Sequence, residues 1–178
     1  VNNKGLAKTF MTGISKSLSL KADVIVNIDA DNQYDASCIQ NLVEPIIKES
    51  FDLSIGERPI DKMDDFSFFK KKLQKIGSSF VRFMSGTNVL DTTSGFRAYS
   101  KSAAEQINVF TDYTYTLESI IQAGQKNMSI ANVKIKVNPV KRKSRLVKSI
   151  PNYIFRSITT VFRVYVIYKP LKFLFYIG

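Results

Sequence analysis

The 178-residue chain contains no histidine and a single cysteine, Cys38. The first absence excludes Ser-His-Asp triads, Cys-His dyads and histidine metal sites. The second excludes an internal disulfide and a cysteine zinc site. A metal ion would have to be held mainly by oxygen, which favours hard cations such as Mg²⁺ or Mn²⁺. Acid is missing from a whole region. Residues 119–178 carry 12 Lys+Arg and no Asp or Glu, whereas residues 1–118 hold 14 basic and 15 acidic side chains. A near-neutral body thus bears a wholly basic tail, a surface for phosphates, nucleic acid or acidic lipid headgroups. No window reaches the roughly 18 uncharged residues of a membrane-spanning helix, and residues 2–20 are too polar for a signal peptide. The start at Val1 and the apolar run 171–178, which simply stops, read as the ends of a fragment. Hydrophobic residues make up 44% of the chain, too many for a disordered one. The length suits one domain with a core of its own.

Periodicity predicts alternating helices and strands. Leu6, Phe10, Ile14 and Leu18 recur every four residues, giving an amphipathic helix over 3–19. Residues 22–28, ADVIVNI, read as a buried parallel strand. Asp35 is placed to cap a helix over 36–49, with Ile39, Leu42, Val43, Ile46 and Ile47 on one face. Residues 52–56 read as a second strand. Helix, strand, helix, strand at short spacing predicts a doubly wound α/β sheet. Residues 57–66 read as a mobile loop, and 67–84 as a helix through Phe69, Leu73, Ile76, Phe80 and Phe83. A turn at Ser94-Gly95 precedes a short strand. Residues 115–125 read as a helix with Gly124 near its end, and 128–137 alternate as a strand. The tail differs in kind. Lys141, Arg142, Lys143, Arg145 and Lys148 form a basic linker, and Ser149 and Pro151 signal a helix start. Over 152–168 a narrow polar stripe is surrounded by apolar residues, as in a helix buried in protein or lying in a membrane interface. The expected division is a body over 1–140 and a basic linker with an interfacial helix over 141–178.

Chemistry concentrates at Asp29-Ala30-Asp31, at the carboxyl end of the first predicted strand, where open α/β sheets bind ligands. Two carboxylates one residue apart on a turn can approach one divalent ion, and such an ion neutralises a leaving diphosphate. Paired aspartates also serve as ordinary turn formers and caps.

Residues 24–34, VIVNIDADNQY, resemble the nucleotide-sugar and metal-binding segment of family 2 glycosyltransferases with the GT-A fold. The subgroup is the polyprenyl-phosphate type, which includes dolichyl-phosphate mannose synthase. Residues 91–101, DTTSGFRAYSK, resemble its second signature, an Asp followed by Ser-Gly-Phe-Arg. Asn3-Lys4-Gly5 resembles the Asn-x-Gly before the preceding helix, and residues 113–118 a later segment whose acid faces the active site. The basic linker, with Ser144-Arg145-Leu146, and the helix after it resemble the part that meets the membrane. The subgroup's first strand, which binds the base and ribose, has no counterpart here. The resemblance therefore implies a partial, N-terminally truncated GT-A fold: a mixed or parallel Rossmann-like sheet with flanking helices, then a basic amphipathic membrane-interface helix.

The activity implied is inverting transfer of a sugar from a UDP- or GDP-linked donor to a polyprenyl phosphate of undecaprenyl or dolichyl type. It would use Mg²⁺ or Mn²⁺ at the cytoplasmic membrane face. Carried over residue by residue, Asp29, Asp31 and Gly5 meet the donor, and Asp29, Asp31 and Gln33 hold the metal. Arg82, Ser94, Arg97, Arg142 and Arg145 contact phosphate, and Asp91, Glu118 and Arg97 form the catalytic set. A lipid phosphate has a second pKa of about 6, so this acceptor needs cations more than a base. A sugar hydroxyl would instead need Glu118 or Asp91 to take its proton. The alternatives are thus a transferase acting on a saccharide hydroxyl and a non-enzymatic basic module that binds membranes. Nucleic acid is not expected, because the basic residues border a strongly apolar helix. A homo-oligomer is compatible with all three readings.

Overall fold

The structure, a computed structural model, describes residues 5–60, 68–110 and 114–138, with residues 158, 159, 162, 163 and 166 of the tail. Helix α1 (Leu6–Ser19) buries Ala7, Phe10 and Ile14, three and four residues apart. Strand β1 (Val24–Asn27) follows, then α2 (Ile39–Glu49) and β2 (Leu53–Glu57). The remaining elements are α3 (Phe68–Ser85), β3 (Arg97–Ser100), α4 (Lys101–Gln106), α5 (Tyr115–Gln125) and β4 (Ile130–Lys134). The strands form one mixed sheet in the order β1-β3-β2-β4. β3 runs antiparallel to both β1 and β2, and β4 parallel to β2.

The mixed sheet agrees with the expected fold class, but the reading of β1 as a buried parallel strand is corrected. Its partner is the antiparallel β3, which inserts between β1 and β2, and only Ile25 of its four residues is buried. Alternation along β3 then feeds two cores. Phe96 and Ala98 join Tyr34, Cys38, Leu42, Ile46 and Ile135 on the α2 side. Tyr99 joins Phe10, Leu53, Ile55, Ile120 and Ile121 on the other.

Two helix faces also differ from expectation. Asp35 caps a single 3₁₀ turn (Ala36–Cys38) by accepting from the Ser37 N–H, and α2 begins only after it. The helix then meets the sheet through one row at steps of four, Cys38, Leu42 and Ile46, and Ile47 is left 67% exposed. In α3 the apolar row through Leu73, Ile76, Phe80 and Phe83 is not the buried side, and of these four only Leu73 is half-buried. Ser78, Val81 and Ser85 are the buried positions, while Ile76, Phe80 and Phe83 are exposed. Polar contacts set this rotation: Ser78 shares a hydrogen bond with Thr92 (3.2 Å), and Gln74 donates to Thr93 Oγ1 (2.6 Å). Arg58, within the stretch read as a mobile loop, is anchored by an ion pair to Asp91. The basic linker lies outside the described residues, as does most of the tail helix. Among the described residues, no helix is long and apolar enough to cross a membrane.

Gly124 fixes how closely α5 approaches the end of α3. A Cβ there would stand 2.0 Å from the Ser85 carbonyl oxygen. Gly→Ala within a helix normally gains up to about 1 kcal/mol, but here a backbone would have to move. Gly124→Ala is expected to lose about 1–3 kcal/mol, seen as a lower urea midpoint at unchanged m value.

Candidate functional site

Because β3 runs against its neighbours, the carboxyl ends of β1 and β2 share a sheet edge with the amino end of β3. Asn27 and Ile55 both pair with Arg97. Asp29 follows β1, Arg58 follows β2, and residues 91–96 lead into β3. Tyr115 opens α5 beside them, its ring stacked on Phe10 of α1 at 4.2 Å.

Asp29 is half-buried. Its Oδ1 accepts from the Tyr115 hydroxyl (3.3 Å). Asn27 Nδ2 donates to that hydroxyl (2.8 Å) and to the Gly95 carbonyl (2.7 Å). The Gly95 N–H donates to the Tyr34 hydroxyl (3.0 Å). A Cβ on residue 95 would stand 2.2 Å from Asp29 Oδ2, so the carboxylate occupies the space that only glycine leaves. At Gly95 it is thus the side chain of Asp29 that approaches the backbone. Burial first, then the charge of Asp31, hold the Asp29 carboxyl above the ordinary carboxylate range, while the Tyr115 hydrogen bond works in the opposite direction.

Asp31 is exposed, and its Oδ1 accepts from the Gln33 N–H (3.0 Å), an Asx-type turn. Asn32 within it adopts a positive φ of 60°, which asparagine tolerates. The segment after β4 pins this turn. The Asn138 N–H donates to the Gln33 carbonyl (2.8 Å), and its Nδ2 to the Asn32 carbonyl (3.1 Å).

A second cluster lies on the same edge. Asp91 is 1% exposed. Arg58 grips it with two prongs, Nε to Oδ2 (2.6 Å) and Nη2 to Oδ1 (2.9 Å), and also donates to Thr93 Oγ1 (2.7 Å). Burial pushes the Asp91 carboxyl up, but the charge and hydrogen bonds of Arg58 outweigh it and hold the group below its usual range.

The other expected site residues are distributed as follows. Arg97 is fully enclosed. It donates to the carbonyls of Ser94 (2.7 Å), Thr116 (2.9 Å) and Thr92 (2.9 Å) and to Ser119 Oγ (2.8 Å). This differs from a phosphate contact: the guanidinium ties the 92–94 loop to α5. Ser94 is buried and supplies one of those carbonyls. Glu118 is buried as well, and its Oε1 accepts from the Phe110 N–H (2.9 Å) and Gln122 Nε2 (3.2 Å). Arg82 donates to Ser79 Oγ (2.7 Å). Gly5 starts α1 at φ 85°. Arg142 and Arg145 lie outside the described residues. Asn27, Tyr34, Arg58, Gln74 and Tyr115 were not foreseen as site residues. A polar residue inside an apolar strand marks Asn27, and a position just past β2 marks Arg58. Tyr115 lies in the 113–118 segment, of which only the acid is read as functional from the sequence, and it is 86 residues from Asp29.

A family model described as glycosyl transferase family 2 matches residues 1–107. The chain belongs to that family. It is 36% identical over 141 residues to the UDP-N-acetylglucosamine–dolichyl-phosphate N-acetylglucosaminyltransferase of Methanococcus voltae, covering 75% of this chain and 55% of the relative. It is 32% identical over 107 residues to the undecaprenyl-phosphate mannosyltransferase of Micrococcus luteus, covering 59% and 43%. The chain thus spans about half the length of the curated relatives it matches. Its fold is similar to that of glucosyl-3-phosphoglycerate synthase from Mycobacterium tuberculosis, solved with Mn²⁺, UDP-glucose and phosphoglyceric acid. The TM-score is 0.66 at 15% identity, over 94% of this chain and 56% of that one.

Two stability measurements test the geometry of this candidate site. The folded Asp29 holds its proton to higher pH than the unfolded one, so its ionisation costs the fold stability above that range and nothing below the ordinary carboxylate value. Asp29→Asn, which keeps an acceptor for Tyr115, is expected to raise the urea midpoint of the ligand-free protein at neutral pH. The gain should vanish by about pH 3. Arg58→Met strands the Asp91 carboxylate in the interior and is expected to cost about 3–5 kcal/mol. The double variant Arg58→Met/Asp91→Asn should recover part of that loss in the same titration.

Proposed function

We propose that this chain carries the metal- and diphosphate-binding side of an inverting glycosyltransferase acting on a polyprenyl phosphate. The observation that carries the reading is the Asp29 carboxylate seated on Gly95 and followed by Asp31, at the end of β1. The donor set suits Mg²⁺ or Mn²⁺, being oxygen alone. Among the described residues no cluster of three acidic, histidine or cysteine side chains forms. A cation held by Asp29 and Asp31, with Gln33 on the same turn, would keep positions for diphosphate oxygens, the usual way Mg²⁺ binds between protein and phosphates. When bound, such an ion supplies neutralising charge for the departing nucleoside diphosphate. Its charge would also offset the cost of burial and the repulsion from Asp31 that raise the Asp29 carboxyl.

The chain's own residues do the rest. Tyr115 and Asn27 fix the Asp29 carboxylate, and Asn138 fixes the Asp31 turn. Arg97, Ser94 and Glu118 position the loops around the edge, and Asp91 orients Arg58. An acceptor phosphate oxygen bonds to the anomeric carbon from the face opposite the departing diphosphate. The bond from that carbon to the diphosphate breaks, and its electrons leave with the nucleoside diphosphate. A dianionic acceptor needs no base, which agrees with Glu118 being engaged by Phe110 and Gln122. The names of the Methanococcus and Micrococcus relatives support a polyprenyl-type phosphate, and the former supports a UDP-linked donor over a GDP-linked one. In this reading residues 1–140 form the catalytic body. Residues 141–178 form the foot on the cytoplasmic membrane face, with Arg142 and Arg145 on lipid phosphates. Arg82 is assigned to phosphate contact on charge alone.

The test is transfer of labelled N-acetylglucosamine from its UDP donor to undecaprenyl phosphate, against a soluble saccharide acceptor. Asp31→Ala is expected to cut lipid-linked product by on the order of a hundredfold. Because Asp31 is exposed, the urea midpoint should barely move. Undiminished turnover in that variant removes the metal role, and equal turnover on the saccharide favours a hydroxyl acceptor.

A further inference from the structure

The outer face of α3 has a pattern of its own. Ile76, Phe80 and Phe83 follow one another at steps of four and three along one side and are 57, 41 and 83% exposed. Lys72, Lys75 and Arg82 border that row, both lysines being exposed. No Asp or Glu occurs between residues 68 and 85. The opposite side of the same helix faces the candidate site, through Gln74 on Thr93 and Ser78 on Thr92. One helix diameter, about 10 Å, separates the two sides.

We propose that this face of α3 is a membrane-contact surface for anionic lipid. The apolar row enters the headgroup–acyl boundary and the basic border meets the headgroup phosphates. The 91–95 loop and its Arg58 cluster are thereby held about one helix diameter from the lipid phosphates. The inference rests on the reading above in that the acceptor is a lipid phosphate. Charge selects the occupant. An apolar row with a basic border and no acid complements anionic headgroups, each cation adding to the attraction. A second copy docking by two-fold symmetry would set the same basic border against itself, and like charges repel.

The chain has no tryptophan, so Phe83→Trp places a single reporter at an exposed position. Ile47→Trp on α2, also exposed, is the control. With vesicles of equimolar phosphatidylcholine and phosphatidylglycerol, the Phe83→Trp emission is expected to shift to the blue and to be quenched by brominated lipid. The Ile47→Trp emission should do neither. Lys72→Gln/Lys75→Gln should weaken cosedimentation with these vesicles by roughly thirtyfold, the loss of two basic contacts. Ile76→Trp repeats the reading if Phe83→Trp fails to fold. Protein that sediments with vesicles while its indole stays in water overturns this inference and leaves lipid attachment through the tail standing. Absence of any vesicle binding overturns both. A blue shift that grows with protein concentration without lipid assigns the face to a second copy, and the inference again fails.

Discussion

A cation with no accessible surface organises this fold. Arg97 carries its charge between the sheet and α5, where desolvation costs several kcal/mol unless hydrogen bonds replace the lost water. Three carbonyls and one hydroxyl do so, and they come from segments far apart in the chain: Thr92 and Ser94 before β3, Thr116 and Ser119 in α5. Moving either segment leaves a buried charge short of partners. The loop and the helix are therefore held as one unit. Both groups that touch Asp29, Gly95 and Tyr115, sit one residue from an Arg97 acceptor. The site is thus placed by a side chain that does not reach it.

Two aspartates on one sheet edge, one buried and one half-buried, receive opposite treatment. Asp91 meets a guanidinium in two-pronged contact, and its charge is favoured despite deep burial. At Asp29 burial, and after it the neighbouring Asp31, disfavours the charge, and the Tyr115 hydroxyl offsets them only in part. A structure built for stability alone would gain by neutralising Asp29. Retaining a carboxylate where it costs stability is the pattern of a group kept for a ligand.

Local pattern in the sequence carries some of this and not the rest. Polar residues closing an apolar run mark where β1 ends, and so mark Asp29 and Asp31. The spacing that reveals each helix does not say which way it turns. Ile76, Phe80 and Phe83 form a legible row, but Gln74 and Ser78 decide that it faces outward, and their partners lie beyond the helix. A motif likewise marks a position and not its exposure. Arg97 follows the Ser-Gly-Phe segment as expected, yet its head lies inside. Arg58 stands in a charged stretch without periodicity, and its partner is 33 residues away. Strand order is the least legible feature, because nothing local says that β3 will separate β1 from β2.

That order nevertheless determines whether there is a site. A parallel β3 in the same place would carry residues 91–96 to the far edge of the sheet. Over four residues that edge is about 13 Å away, out of reach of Asp29 and Arg58. Register is equally constrained. Asn27 and Ile55 pair with Arg97, and a slip by one residue would turn every side chain of β3 to the opposite face. Arg97 would then enter the cluster of Tyr34, Leu42 and Ile46, whose side chains include no carboxylate to pair with a guanidinium. The apolar Phe96 and Ala98 would face the Thr116 carbonyl and the Ser119 hydroxyl. The alternation of β3, the hydrogen-bond needs of one arginine and the position of Gly95 under Asp29 therefore select the same pairing, and no other register satisfies all three.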